Sequence, residues 1–135
     1  MAGVVWEEKC WGKTASIDEP DVIASVLQVD AGWRCSRHIH QHRWNYFRVI
    51  SGMVDIVMFF PILPGLPKEF RESGRVRLYA GESYDVRPEI LHCFEVYKSG
   101  TLVELYWTLD GTPTLLDDII RFDEGGPIEN WEAEL

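Results

Sequence analysis

The feature that most limits the fold is a rhythm. Short apolar, β-branched or aromatic segments recur along the chain, and glycine or proline turns separate them. Residues 22–29 read Val-Ile-Ala-Ser-Val-Leu-Gln-Val and stop at Asp30-Ala31-Gly32. Residues 34–42 alternate loosely, and strand-like segments follow at 44–50, 53–60, 75–79, 83–87, 92–97 and 101–109. Gly81, Gly100 and Gly111 sit in the gaps, and Ser51-Gly52 predicts a tight hairpin turn. Many short strands spaced by such turns predict an all-β sandwich or barrel. The one helical candidate is short, residues 114–122, opening at Thr114 as a cap.

A chain of 135 residues fits one domain, 1–135, with a core large enough to need no metal or disulfide staple. Thirteen Lys and Arg against 22 Asp and Glu leave a net charge of −9. That charge excludes nucleic acid or an anionic membrane as a partner held by overall charge. No run of 18 apolar residues occurs, so no membrane span is expected. Cys10, Cys35 and Cys93 are odd in number and form no C-x-x-C pair, which excludes a disulfide framework and a zinc ribbon. The cysteines suit a reducing cytoplasm, and the N-terminus, with Glu7 and Glu8, has no signal-peptide pattern. The cytoplasm is therefore the expected location. Residues 59–70 break the rhythm with Pro61, Pro64 and Pro67 among large apolar residues. Proline cannot donate to a ladder, so a loop or sheet edge is expected there. It either packs on its own barrel or covers a pocket or a second subunit. A homodimer through edge strands and this loop is the expected assembly.

Three of the four histidines, His38, His40 and His42, fall within five residues. On a strand, residues i and i+2 share a face, so His38 and His40 can aim at one ion, and His42 joins them if the strand continues. His92, the remaining histidine, opens a later strand-like segment. An H-x-H pair with a distant third histidine in an all-β chain points to one divalent transition metal, Zn, Fe, Ni or Mn.

From Gly32 the sequence reads Gly32-x5-His38-x-His40-x4-Asn45-x6-Gly52, which resembles the first cupin motif with Asn45 in place of its glutamate. Gly81-x6-Pro88-x3-His92 resembles the second. The resemblance implies a single-domain cupin, a jelly-roll type β-barrel with a metal inside. His38, His40 and His92 would be ligands, and Asn45 would stand where the carboxylate ligand stands. Residues 36–45 are also similar to the S-L-Q-x-H-x-H-R-x-E segment of the cupin domain of type II mannose-6-phosphate isomerases. Trp11-Gly12 resembles that family's entry segment, and Asp117-Asp118-Ile-Ile-Arg121-Phe122-Asp123 resembles its ending. A three-histidine site with a neutral amide leaves the full charge on the ion and favours imidazole-loving metals.

Three functions follow as expectations. The first is an aldose–ketose isomerase acting on a small-molecule carbohydrate, free or phosphorylated. It needs a metal to polarise the carbonyl and a base to move a proton. Glu104 and His42 are the candidate bases, and Tyr106 shares the strand face of Glu104. Glu104 on the outer face would be a solvated carboxylate instead. Arg43, Arg48 and Lys13 are the candidate phosphate ligands, with Arg121 also available. The second function is a metal-dependent cupin dioxygenase. The third is a non-catalytic sugar-binding cupin, for which the six tryptophans could supply a stacking surface. For Trp44 and Trp107 the core is the default expectation.

Overall fold

The computed structural model describes residues 5–19, 21–129 and 131. Among them are eleven strands: β1 (Glu7–Lys9), β2 (Gly12–Asp18), β3 (Ile23–Val29), β4 (Trp33–Arg34), β5 (His38–Ile39), β6 (Arg43–Phe59), β7 (Glu72–Tyr79), β8 (Ser83–Val86), β9 (Leu91–Thr108), β10 (Ile120–Arg121) and β11 (Gly126–Pro127). All pairings are antiparallel, and the sheet curls around one core, as the strand rhythm predicts. Among the described residues, no helix is long and apolar enough to cross a membrane.

Alternation orients the strands. In β3, Ile23, Ser25, Leu27 and Val29 face inward, and the residues between them lie outward or half-buried. The same period in β6 turns Arg43, Asn45, Phe47 and Val49 inward. β6 and β9 pair along nearly their whole lengths, from Arg43 against Thr108 to Phe59 against Leu91. The hairpin predicted at Ser51-Gly52 is therefore absent: β6 runs straight through it, with register shifts at 49–54. Gly52 has φ +92°, and a Cβ there would lie 2.5 Å from the Lys98 carbonyl oxygen. A Cβ on Gly100 would lie 2.1 Å from that of Ser51. These glycines serve a close approach of two backbones at a bulge, not a chain reversal.

The helix expected at 114–122 is also absent. Pro113 precedes it, the backbone makes a single turn from the Asp118 N–H to the Leu115 carbonyl, and further polar groups bond to neighbours. Leu115 and Leu116 give their carbonyls to Arg43, and Asp118 serves the 41–43 backbone. The 60–70 loop packs on its own barrel. The Phe59 and Phe70 rings lie 6.1 Å apart, with the Arg37 guanidinium over both. Leu63 and Leu66 at its tip stay exposed. Trp44 and Trp107 stack in parallel at 6.4 Å, half-buried outside the core rather than within it. Farther along β6, Asp55 is fully buried and bonds Arg75 at 2.9 Å and Arg77 at 2.7 Å. Arg75 also reaches Glu95 and the Tyr97 hydroxyl.

Candidate metal centre

Strand pairing assembles the cluster. β5 pairs β9 with His38 opposite His92, so the two imidazoles share the inner face. β5 ends at Ile39, and the chain turns at residues 40–42. The Asp118 carboxylate holds that turn by accepting the backbone N–H groups of Gln41 (2.8 Å), His42 (3.0 Å) and Arg43 (2.9 Å). His40 thereby stays inward. The three rings are buried, with centroids 4.5 to 5.3 Å apart.

Each of the three Nδ1 atoms faces a backbone carbonyl: Ser36 for His38 (2.7 Å), Asp118 for His40 (2.8 Å) and Ile90 for His92 (2.8 Å). A carbonyl only accepts, so Nδ1 carries the proton and Nε2 keeps its lone pair. His40 Nδ1 also lies 3.1 Å from the Arg43 Nε–H. It can serve only one of the two, and the carbonyl is nearer. Burial lowers all three imidazole pKa values, that of His92 to about 4. Neighbouring imidazoles add to the shift for His38 and His40, and Arg43 contributes to all three. The cluster is thus neutral near pH 7.

Three neutral imidazoles with inward lone pairs, anchored by carbonyls, are a donor set that fits a transition metal. One ligand atom from each lies within 4.8 Å of the others, and His40 Nε2 is buried with no hydrogen-bond partner. A metal ion would satisfy that orphaned atom. Asn45 joins the cluster, with Oδ1 3.2 Å from His92 Nε2. Its Nδ2 donates to Glu104 Oε2 at 2.9 Å, and Tyr106 donates its hydroxyl to the same oxygen. Burial pushes the Glu104 pKa up, against the pull of these two bonds and of Arg43.

A cavity of about 660 Å³ opens beside the cluster, lined by Ser36, Arg43, Glu104, Tyr106, Arg121 and Trp11 among others. The structure thus brings His38, His40, His92, Asn45, Glu104, Tyr106 and Arg43 together. It does not bring His42, Arg48 or Lys13. His42 points outward and bonds Asp110 at 2.7 Å, because the strand ends before it. Arg48 is exposed on the outer face of β6, one residue out of phase with Phe47. Lys13 lies over the Trp6 ring at 5.0 Å. Arg43 is buried and stacks on Tyr106 at 3.9 Å, but its Nη1 bonds the Leu115 and Leu116 carbonyls. Its visible role is to fasten the 115–118 segment.

Sequence reasoning missed Asp118 as a site residue. Its only signal is the acidic pair Asp117-Asp118, which read as resemblance and not as a clip. Asp118→Ala is expected to free the 41–43 turn and lower metal affinity about 10-fold, the size typical of losing a ligand's support. Titration with Zn²⁺ checks this, and unchanged affinity would show that the turn holds itself.

No protein-family model and no curated protein matches the sequence. The fold, however, is that of the cupins. KdgF from Halomonas sp. matches with a TM-score of 0.61 at 14% identity, over 79% of this chain and 88% of that one. An RmlC-like cupin from Shewanella frigidimarina matches at 0.62 and 17% identity, over 80% and 86%. Oxalate decarboxylase from Bacillus subtilis matches at 0.67 and 9% identity, covering 90% of this chain but 30% of its own. At such identities the likeness is one of fold.

Proposed function

We propose that the chain is a metal-dependent aldose–ketose isomerase acting on a small sugar or sugar phosphate. This reading places it near the type II mannose-6-phosphate isomerases that its sequence resembles. The observation that carries the proposal is a histidine cluster joined through Asn45 to a buried carboxylate, Glu104, that lines the adjoining cavity. Glu104 Oε2 accepts two hydrogen bonds, and Oε1 makes none among the described residues. A divalent ion on His38, His40 and His92, with Asn45 beside it, would polarise a carbonyl and its neighbouring hydroxyl.

The chain's own residues supply the rest. Isomerisation moves a proton from the second sugar carbon to the first, and another between their oxygens. Glu104 Oε1 takes and returns the carbon-bound proton, and its raised pKa suits it to both tasks. Tyr106, donating to Oε2, holds the carboxylate in place. Trp11 and Leu27 give the cavity an apolar wall for a sugar's C–H face. Arg121, at the same cavity, is placed to meet a phosphate.

The test is solvent exchange. Metal-loaded protein in D₂O, given a panel of aldoses and their phosphates, should place deuterium at the second carbon of one of them. Glu104→Gln should keep metal but slow this exchange about 100-fold or more, since an amide cannot take the proton. A protein holding one equivalent of metal that exchanges none of the panel would overturn the isomerase reading.

A further inference from the structure

The hydrogen bonds around Asn45 contain a conflict. Nδ1 of His92 donates to the Ile90 carbonyl, so its Nε2 is a lone pair. The atom facing that lone pair at 3.2 Å is Asn45 Oδ1, also an acceptor. Left to itself, the amide would turn over and offer its NH₂ to the imidazole, which would close off the lone pair. The other end of the amide prevents this. Glu104 Oε2 accepts from Asn45 Nδ2 and from the Tyr106 hydroxyl. An oxygen that accepts twice carries no proton, so it repels Oδ1 and holds Nδ2. The strands build this contact directly, because β6 and β9 set Asn45 opposite Tyr106 and Phe47 opposite Glu104.

We propose that Glu104 is a positioning residue that fixes the Asn45 amide, so that its carbonyl oxygen faces the imidazoles as the fourth donor to a metal ion. The inference rests on the metal-centre reading above. Two donors roughly 2.1 Å from one ion lie about 3.0–3.4 Å apart at near-tetrahedral or right angles. The observed 3.2 Å falls in that range. A cation between the two acceptors turns their repulsion into shared coordination. The cupin motif has a carboxylate at position 45, and a carboxylate offers an acceptor in either orientation. An amide does not, so this chain needs a neighbour to orient it.

The experiment is a Co²⁺ titration of the full chain, followed by visible absorption, with circular dichroism to confirm folding. Glu104→Met removes the acceptor at similar volume, and Co²⁺ affinity should fall about 10- to 100-fold. Glu104→Ala removes it at smaller volume, so a folding failure of one variant does not end the test. Glu104→Gln removes the charge but keeps an acceptor oxygen, and should stay within about threefold of the original chain. Asn45→Asp in the Glu104→Met background should recover the affinity, because a carboxylate needs no orienting. Unchanged affinity in Glu104→Met and Glu104→Ala would overturn the proposal. So would a loss in Glu104→Gln as deep as in Glu104→Met, which would make charge the cause, or no recovery in a folded double variant. An unmodified chain that takes up no Co²⁺ would overturn the metal-centre reading and this inference with it.

Discussion

His40→Ala is expected to end stoichiometric metal binding, with Zn²⁺ affinity lowered on the order of 100-fold or more. A four-ligand zinc site is worth roughly 10–16 kcal/mol, so one ligand of four carries about 3 kcal/mol of it. His40 Nε2 is buried with no hydrogen-bond partner, so a bound ion is what would satisfy it. Elemental analysis after desalting checks the stoichiometry. Thermal melts give a second readout. Zn²⁺ at about 1,000 times its Kd should add about 4 kcal/mol to the unmodified chain and little to the variant. One full equivalent retained by His40→Ala would remove His40 from the ligand set.

Arg75→Met should produce the largest loss of stability, about 3 kcal/mol, without touching the metal centre. Arg75 joins Asp55, Glu95, Glu72 and the Tyr97 hydroxyl, and two of these, Asp55 and Tyr97, are almost wholly buried. Its removal leaves the Asp55 and Glu95 carboxylates beside one another, 0% and 10% exposed, with Arg77 bonding Asp55 at 2.7 Å. The lost partner costs more than the pair adds, because the remaining charges stay desolvated. Arg75 itself is 31% exposed, which holds the figure at the lower end of the range for buried pairs. Urea unfolding gives the number, and a loss under about 1 kcal/mol would show that water reaches these carboxylates. The Co²⁺ affinity of the variant should be unchanged, since Asp55 and the histidines lie on opposite faces of the sheet.

Much of the site was legible because a strand's period of two is visible in sequence. His38 and His40 sit two apart, as do Glu104 and Tyr106, and both pairs do share a face. Cys93, one residue beyond His92, duly turns away, and burial pushes its thiol up to about 12. The failures have a common cause, which is that a residue's local meaning changes with what crosses it. Gly52 reads as a hairpin until β9 lies against it. Arg43 reads as a phosphate ligand until the Leu115 carbonyl takes its Nη1. His42 continues the alternation in sequence, but the chain has already turned under Asp118. Asp55 interrupts an apolar run for arginines on β7, which no local pattern announces. Orientation of the Asn45 amide is likewise set from a strand 59 residues away.

The long β6–β9 ribbon has a consequence for how the protein folds. Its pairs join residues as far apart as Arg43 and Thr108, so large loops must close before the ladder gives any return. Topologies of this kind fold in milliseconds to seconds. His38, Asn45, His92 and the carbonyl of Asp118 meet only after the ribbon has closed and the 110–123 segment has crossed it. A bound ion would then stabilise contacts absent from the transition state. It would lengthen the lifetime of the native protein by slowing its unfolding and leave the refolding rate nearly unchanged.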